Sequence, residues 1–181
     1  MVIALRKYQT NVIRKLNRYG SALCFMPLGA GNTTCNLVYA SHLLKARKIK
    51  RAIIVTSKPK CDYWLKEVDK IFGGKLKGVV VGHDQNGNLR TLKERTQLLN
   101  ENYDIYVINF ELIGDLCTAD LLIVDGIEHV KNDTKRLRLM QTIPTKYRVG
   151  MSCRMGLSNN DDISDIIKWI TPENRKIVVN Y

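Results

Sequence analysis

The sequence predicts one α/β domain built on a parallel β-sheet with helices on both faces. Three observations predict it. Apolar, β-branched-rich runs recur without the polar alternation of a half-exposed sheet, and stretches of helical length separate them. The chain of 181 residues has room for a single core of this kind, so residues 1–181 are expected to form one domain.

Strands are expected at residues 21–26 (SALCFM), 52–56 (AIIVT), 78–81 (GVVV), 105–109 (IYVIN), 121–125 (LLIVD) and 147–152. Helices are expected between them at 8–18, 33–46, 62–72, 89–100, 134–141 and 163–170. The polar run HDQNGN at 83–88 reads as a surface loop. In sheets of this type ligands meet the crevice at the carboxyl ends of the strands, so that is where chemistry is sought.

Composition narrows the class. With 45% hydrophobic and 25% charged residues the chain reads as an ordinary soluble protein, and no run approaches the ~18 apolar residues of a membrane span. The opening MVIALRKYQT lacks the apolar region and cleavage site of a signal peptide, so a cytoplasmic location and no membrane partner are expected. Five cysteines, Cys24, Cys35, Cys61, Cys117 and Cys153, lack CxxC spacing and read as small buried hydrophobes. A metal site is not expected.

The net charge of +12 is unevenly placed. Arg6 to Lys60 supply 12 basic residues before the first acidic residue, Asp62, and the other 17 basic residues match the 17 acidic ones. One-sided charge of this kind is the footprint of a polyanion-binding surface, the plain alternative being solvated lysines on helix faces.

The strongest motif is a strand, a glycine turn and a helix: SALCFM, PLGAGNTT, then an apolar-periodic stretch through Leu37, Ala40, Leu43 and Leu44. That is the context of a phosphate-binding loop. Gly29 and Gly31 permit the tight cradle, the new helix presents N–H groups, and a hydroxyl such as Thr33 would hold Mg²⁺. The chemistry also needs a lysine after the last glycine, to bridge the β- and γ-phosphates. Asn32 stands there, neutral and too short, so ATP and Mg²⁺ binding are expected to be weak or absent.

The order of further segments resembles a Swi/Snf-type motor of helicase superfamily 2. LRKYQ resembles the family's entry motif, whose glutamine, here Gln9, would contact adenine. AIIVTSKPKCDYWLKEV resembles the next strand and helix, with Trp64 and Glu67 matching, and YDIYVINFELI resembles the strand ending in Phe110, Glu111 and Leu112. LLIVDGIEHVKND resembles the Walker B strand, with Asp125, Lys131 and Asn132 in register, and YRVGMSCRMGLSNN resembles the segment that couples nucleotide state to domain movement. The resemblance implies a RecA-like P-loop domain, a three-layer sandwich of helices around a parallel sheet.

The departures fall at catalytic positions. Besides Asn32, Gly126 stands where the family's water-orienting glutamate would be, and Ser152 to Met155 replace the coupling motif. Asp125 could still hold Mg²⁺, but without lysine or general base it makes a poor hydrolase. Restoring lysine at 32 and glutamate at 126 is expected to recover nucleotide binding before turnover.

Other candidates are weaker. Glu128 and His129 are adjacent in a loop and point apart, and Cys153 beside Arg154 reads as an inert thiol rather than a thiolate. Tyr8, Tyr19, Phe25 and Tyr39 interleave with basic residues as a stacking platform would, although such spacing also suits core packing.

The resulting expectation is a non-catalytic, helicase-like domain of the kind a virus or mobile element carries, acting by binding. Its partner would be DNA, reached through Lys58 and Lys60 together with Lys45, Arg47, Lys48, Lys50 and Arg51, or a host, replication or transcription protein. Two rival readings stand beside it: an ATP-dependent translocase whose second motor domain lies on another chain, and a structural domain whose charge is incidental.

Overall fold

A computed structural model describes residues 4–131, 134–153, 160–171 and 178–180. In chain order the elements are α1 (Lys7–Tyr19), β1 (Ala22–Phe25), α2 (Asn32–Lys45), β2 (Ala52–Thr56), α3 (Cys61–Phe72), β3 (Gly78–Val80), α4 (Leu92–Asn100), β4 (Ile105–Asn109), β5 (Ala119–Asp125), α5 (Glu128–Lys131), α6 (Thr134–Thr142), β6 (Thr145–Ser152), α7 (Asn160–Ile170) and β7 (Val178–Asn180). Short 3₁₀ turns at Lys58–Lys60 and Phe110–Asp115 follow β2 and β4.

All strand pairs are parallel, in the order β3-β4-β2-β5-β6-β1-β7. The strands read as continuous apolar runs because both faces are covered: every residue of β2 and β4 is buried. The period of two sorts those residues into two cores. Ala52, Ile54, Val107, Leu121 and Ile123 pack with Leu16, Leu37, Tyr39 and Trp64 of α1, α2 and α3. Ile53, Val55, Ile108, Leu122 and Val124 pack with Met140, Ile166 and Trp169 of α6 and α7.

The six expected strands and six expected helices are all present within the described residues, β2 and β4 with the expected bounds and the others with shifted ends. Helix α4 begins at Leu92 rather than at 89 because Thr91 and Glu94 form a capping box: Glu94 N donates to Thr91 Oγ1 (3.3 Å) and Thr91 N to Glu94 Oε2 (2.7 Å). Leu89 instead bridges back to His83. Helix α7 starts three residues earlier than expected, and β7 is an unexpected edge strand that finds its partner across the sheet in β1. Two cysteine expectations are corrected. Cys24, Cys35 and Cys61 are buried, but Cys117 and Cys153 lie in loops past the sheet ends and are exposed.

Helix α2 ends in a Schellman turn, in which Arg47 N donates to Leu44 O (2.9 Å) and Lys48 N to Leu43 O (2.9 Å). The left-handed position of this turn, φ 52°, is held by Arg47, where glycine is the usual occupant.

Candidate functional site at the carboxyl end of the sheet

Register decides what meets at this end. Phe25 of β1 pairs with Ser152 of β6, and Asp125 of β5 pairs with Met151. The glycine loop, residues 27–31, and Asp125 therefore flank the end of β6 on the same side of the molecule.

The glycine loop is tied down by its own chain. Gly29 and Gly31 have φ of 76° and 89°. A Cβ at Gly29 would meet nothing within 4 Å, whereas one at Gly31 would overlap Nε2 of Gln9. Gln9 Nε2 and the Tyr8 hydroxyl both donate to the Ala30 carbonyl at 3.0 Å, and Gln9 Oε1 accepts from Arg6 N at 2.9 Å. Gln9 is thus a strut between α1 and the loop, with both ends of its amide engaged. Asn32 turns back across the base of the loop and donates from Nδ2 to the Met26 carbonyl at 3.2 Å, while its Oδ1 is buried without a hydrogen-bond partner. Thr33 is half-buried in the first turn of α2. Behind the loop, burial pushes the Cys24 and Cys35 thiols up to about 12 and about 11, which keeps them unreactive.

Asp125 is satisfied in the same manner. Its Oδ2 accepts from Thr56 Oγ1 (3.0 Å), from the indole Nε1 of fully buried Trp64 (3.0 Å) and from the Lys60 ammonium (3.4 Å). The β2–β5 register, with Val55 opposite Val124, brings Thr56 alongside. The turn after β2 then carries Lys60 over the carboxylate, so a cation of the chain itself balances this charge.

Gly126 has φ 81°, and a Cβ there would stand 2.8 Å from His129 Cδ2 and 3.8 Å from Glu128 Oε1. A glutamate at this position must hold a left-handed backbone and displace the imidazole. His129 packs at 5.8 Å from the Phe110 ring. Among the described residues no group of three or more His, Cys, Asp and Glu is placed to hold a metal ion. The glycine loop is followed by Asn32 rather than a cation, Lys60 pairs with Asp125 at 3.4 Å, and position 126 is a glycine without a carboxylate.

The structure separates the basic candidates into two groups. Lys58 and Lys60 follow β2 and lie at the carboxyl end, Lys58 within electrostatic reach of Glu111. Lys45, Arg47, Lys48, Lys50 and Arg51 precede β2 and lie at the opposite, amino end. Of the aromatic candidates, Tyr39 is buried and its hydroxyl bonds the Gly20 carbonyl, Tyr8 and Phe25 are half-buried, and Tyr19 is exposed, so no stacking platform forms. Asn132, Arg154 and Met155 lie outside the described residues.

Sequence reasoning missed the roles of Tyr8, Thr56 and Lys60. Thr56 and Asp125 were legible as strand ends, but their contact depends on β2 and β5 being neighbours, which no local pattern encodes. Nothing in the sequence signals that Lys60 reaches Asp125.

A parallel sheet with a glycine loop between β1 and α2 and an aspartate at the end of β5 is the arrangement of a RecA-like α/β fold. The solved structures it resembles bear this out. The SWI2/SNF2 ATPase core of Sulfolobus solfataricus in complex with dsDNA superposes with a TM-score of 0.80 at 18% identity, covering 94% of this chain and 36% of that one. A second structure of that ATPase core domain gives 0.73 at 20% identity over 95% and 36%. The Hef helicase domain of Pyrococcus furiosus gives 0.77 at 14% identity over 97% and 38%. The chain spans little more than a third of the length of these structures. At such identities the likeness establishes the fold. No protein-family model and no curated protein matches the sequence.

Proposed function

We propose that this domain is a helicase-like module that binds the nucleic-acid backbone at the carboxyl end of its sheet and does not turn over ATP. The observation that carries the reading is Asp125. The carboxylate that in this fold would face a metal accepts from Thr56, Trp64 and Lys60, so the site is electrostatically complete without one. Lys58, exposed in the turn after β2, is placed to meet a phosphate at this end. One of the similar structures holds dsDNA, which supports nucleic acid as the ligand class. No described helix is long and apolar enough to cross a membrane.

A protein partner is the second reading, favoured by a specific observation. Leu28, Tyr63, Leu89 and Leu92 are large, apolar and exposed, Leu28 to 85%, and all four sit in loops or first helical turns at this same end.

Duplex affinity measured with and without Mg–ATP, for the native chain and for Lys58→Glu, tests the proposal. Nucleotide should leave affinity unchanged and Lys58→Glu should weaken it, lowering the salt slope by about 1. Affinity that depends on Mg–ATP, or is indifferent to Lys58, would overturn it; unchanged binding in Leu28→Ser with Leu89→Ser is also expected.

A further inference from the structure

The amino end of the sheet carries charge that the proposed function leaves unused. Lys45, Arg47, Lys48 and Lys50 are all exposed between α2 and β2. Exposed Lys146 of β6 joins them, its ammonium donating to the Lys48 carbonyl at 3.2 Å. One carboxylate meets the end of this row: Asp120 Oδ2 accepts from the backbone N–H groups of Lys50 (2.7 Å) and Arg51 (3.2 Å). Arg51 is engaged differently, donating to the Leu99 carbonyl at 2.7 Å with its guanidinium over the Tyr106 ring. Asp120 is thus bonded to backbone amides at one end of the row, and its single negative charge stands against the five exposed cations Lys45, Arg47, Lys48, Lys50 and Lys146.

A second observation points the same way. Arg47 holds the left-handed position of the Schellman turn, φ 52°, and is the one non-glycine residue with positive φ among the described residues. Every other positive-φ position is a glycine, including Gly73 at the end of α3. Glycine would hold this conformation with less strain, and the arginine found there is exposed. Strain kept at an exposed charged side chain is a mark of a binding role.

We infer that this amino-end row is a second nucleic-acid surface, separate from the one at Lys58, so that one domain can hold two duplex segments at opposite ends of its sheet. The partner is the phosphate backbone rather than a protein. A protein interface needs a desolvated apolar or aromatic anchor. The exposed large apolar side chains Leu28, Tyr63, Leu89 and Leu92 all lie at the other end, and Tyr19, exposed at the end of α1 with Arg18 5.5 Å from its ring, stands alone among the described residues at this one. A row of solvated cations suits phosphates, which need charge and no anchor. The inference rests on the reading of this chain as a nucleic-acid binder, but on different residues.

The test uses the intact chain, verified as monomeric by light scattering, with an immobilised duplex, a second fluorescent duplex and polyglutamate as competitor. The native protein should capture the fluorescent duplex on the immobilised one. Arg47→Gly should raise the urea midpoint while lowering the salt slope of the amino-end site by about 1. Adding Lys48→Gln and Lys50→Gln should abolish capture and leave single-duplex binding through Lys58. Capture that survives the triple change, no capture by the native monomer, or displacement by polyglutamate but not by free duplex would overturn the inference. If Lys58→Glu changes nothing while Arg47→Gly weakens single-duplex binding, the carboxyl-end proposal fails; the native monomer then captures no second duplex and the two-segment inference fails with it, leaving a single surface at the amino end.

Discussion

The two ends of the sheet solve opposite problems. At the carboxyl end polar groups are turned inward and matched to one another: Asp125 to Thr56, Trp64 and Lys60, Ala30 to Tyr8 and Gln9, Met26 to Asn32. At the amino end Asp120 and Asp104 are spent on backbone N–H groups of Lys50, Arg51 and Lys77, and the cations are left in solvent. In this fold the carboxyl end is where ligands are met. Here that end ties many of its polar groups to one another, with Asn32 Oδ1 left buried and unpartnered, while the other end carries a row of exposed cations.

The largest expected contrast is in stability. Trp64→Ala removes a fully buried indole together with a donor to Asp125 and should cost about 3–5 kcal/mol, whereas Lys48→Ala at the exposed amino end should stay within about 0.5 kcal/mol. Urea denaturation of both variants measures the difference, and equal losses would break the comparison.

Within the glycine loop the two glycines should separate. Gly31→Ala meets Gln9 as well as a left-handed backbone and should cost about 2–3 kcal/mol; Gly29→Ala has open space and should lose only the conformational part, about 1 kcal/mol. Equal costs would mean that Gln9 is not the strut described.

Much of the fold was legible because a buried parallel sheet writes itself as apolar runs. AIIVT and IYVIN became β2 and β4 without a change of boundary, and the Thr91–Glu94 box that corrects the start of α4 was present in the sequence as TLKE. The site was half legible. Gly29, Gly31, Asn32 and Asp125 could be placed by motif, and they share one end of the sheet. The contacts those side chains make could not be read, because Lys60 reaches Asp125 across 65 positions of sequence and Gln9 reaches Ala30 across 21. The expectation that Lys45 to Arg51 follow the helix after the glycine loop while Lys58 and Lys60 follow the next strand holds, and β2 between them sends the two groups to opposite ends of the sheet.

Gly126 sharpens the point. Restoring the apparent catalytic residues with Asn32→Lys and Gly126→Glu looks conservative in sequence, but glutamate at φ 81° against His129 should cost about 1–2 kcal/mol of stability. The thermal midpoint of the double variant should fall below that of Asn32→Lys alone; an unchanged midpoint would mean the turn at 126 adapts freely.

The smallest expected effect reports on the amino end. Burial, and then Lys45, hold the His42 pKa below its ordinary 6.5, and Asn17 Nδ2 lies 3.0 Å from its Nδ1. The folded state thus binds fewer protons than the unfolded one, so this contribution to stability is present above the ordinary pKa and is lost as pH falls below it. A polyanion on the Lys45 row should move the His42 titration, followed by NMR, upward. No movement would argue that the row does not bind phosphate.

The central claim is that the carboxyl end is closed to nucleotide by the chain's own side chains. Steady-state phosphate release, with Mg–ATP titrated in the presence and absence of duplex DNA, tests it most directly. The account predicts release at background throughout and no shift of the thermal midpoint with nucleotide. Release that saturates with ATP and rises on adding DNA would contradict it.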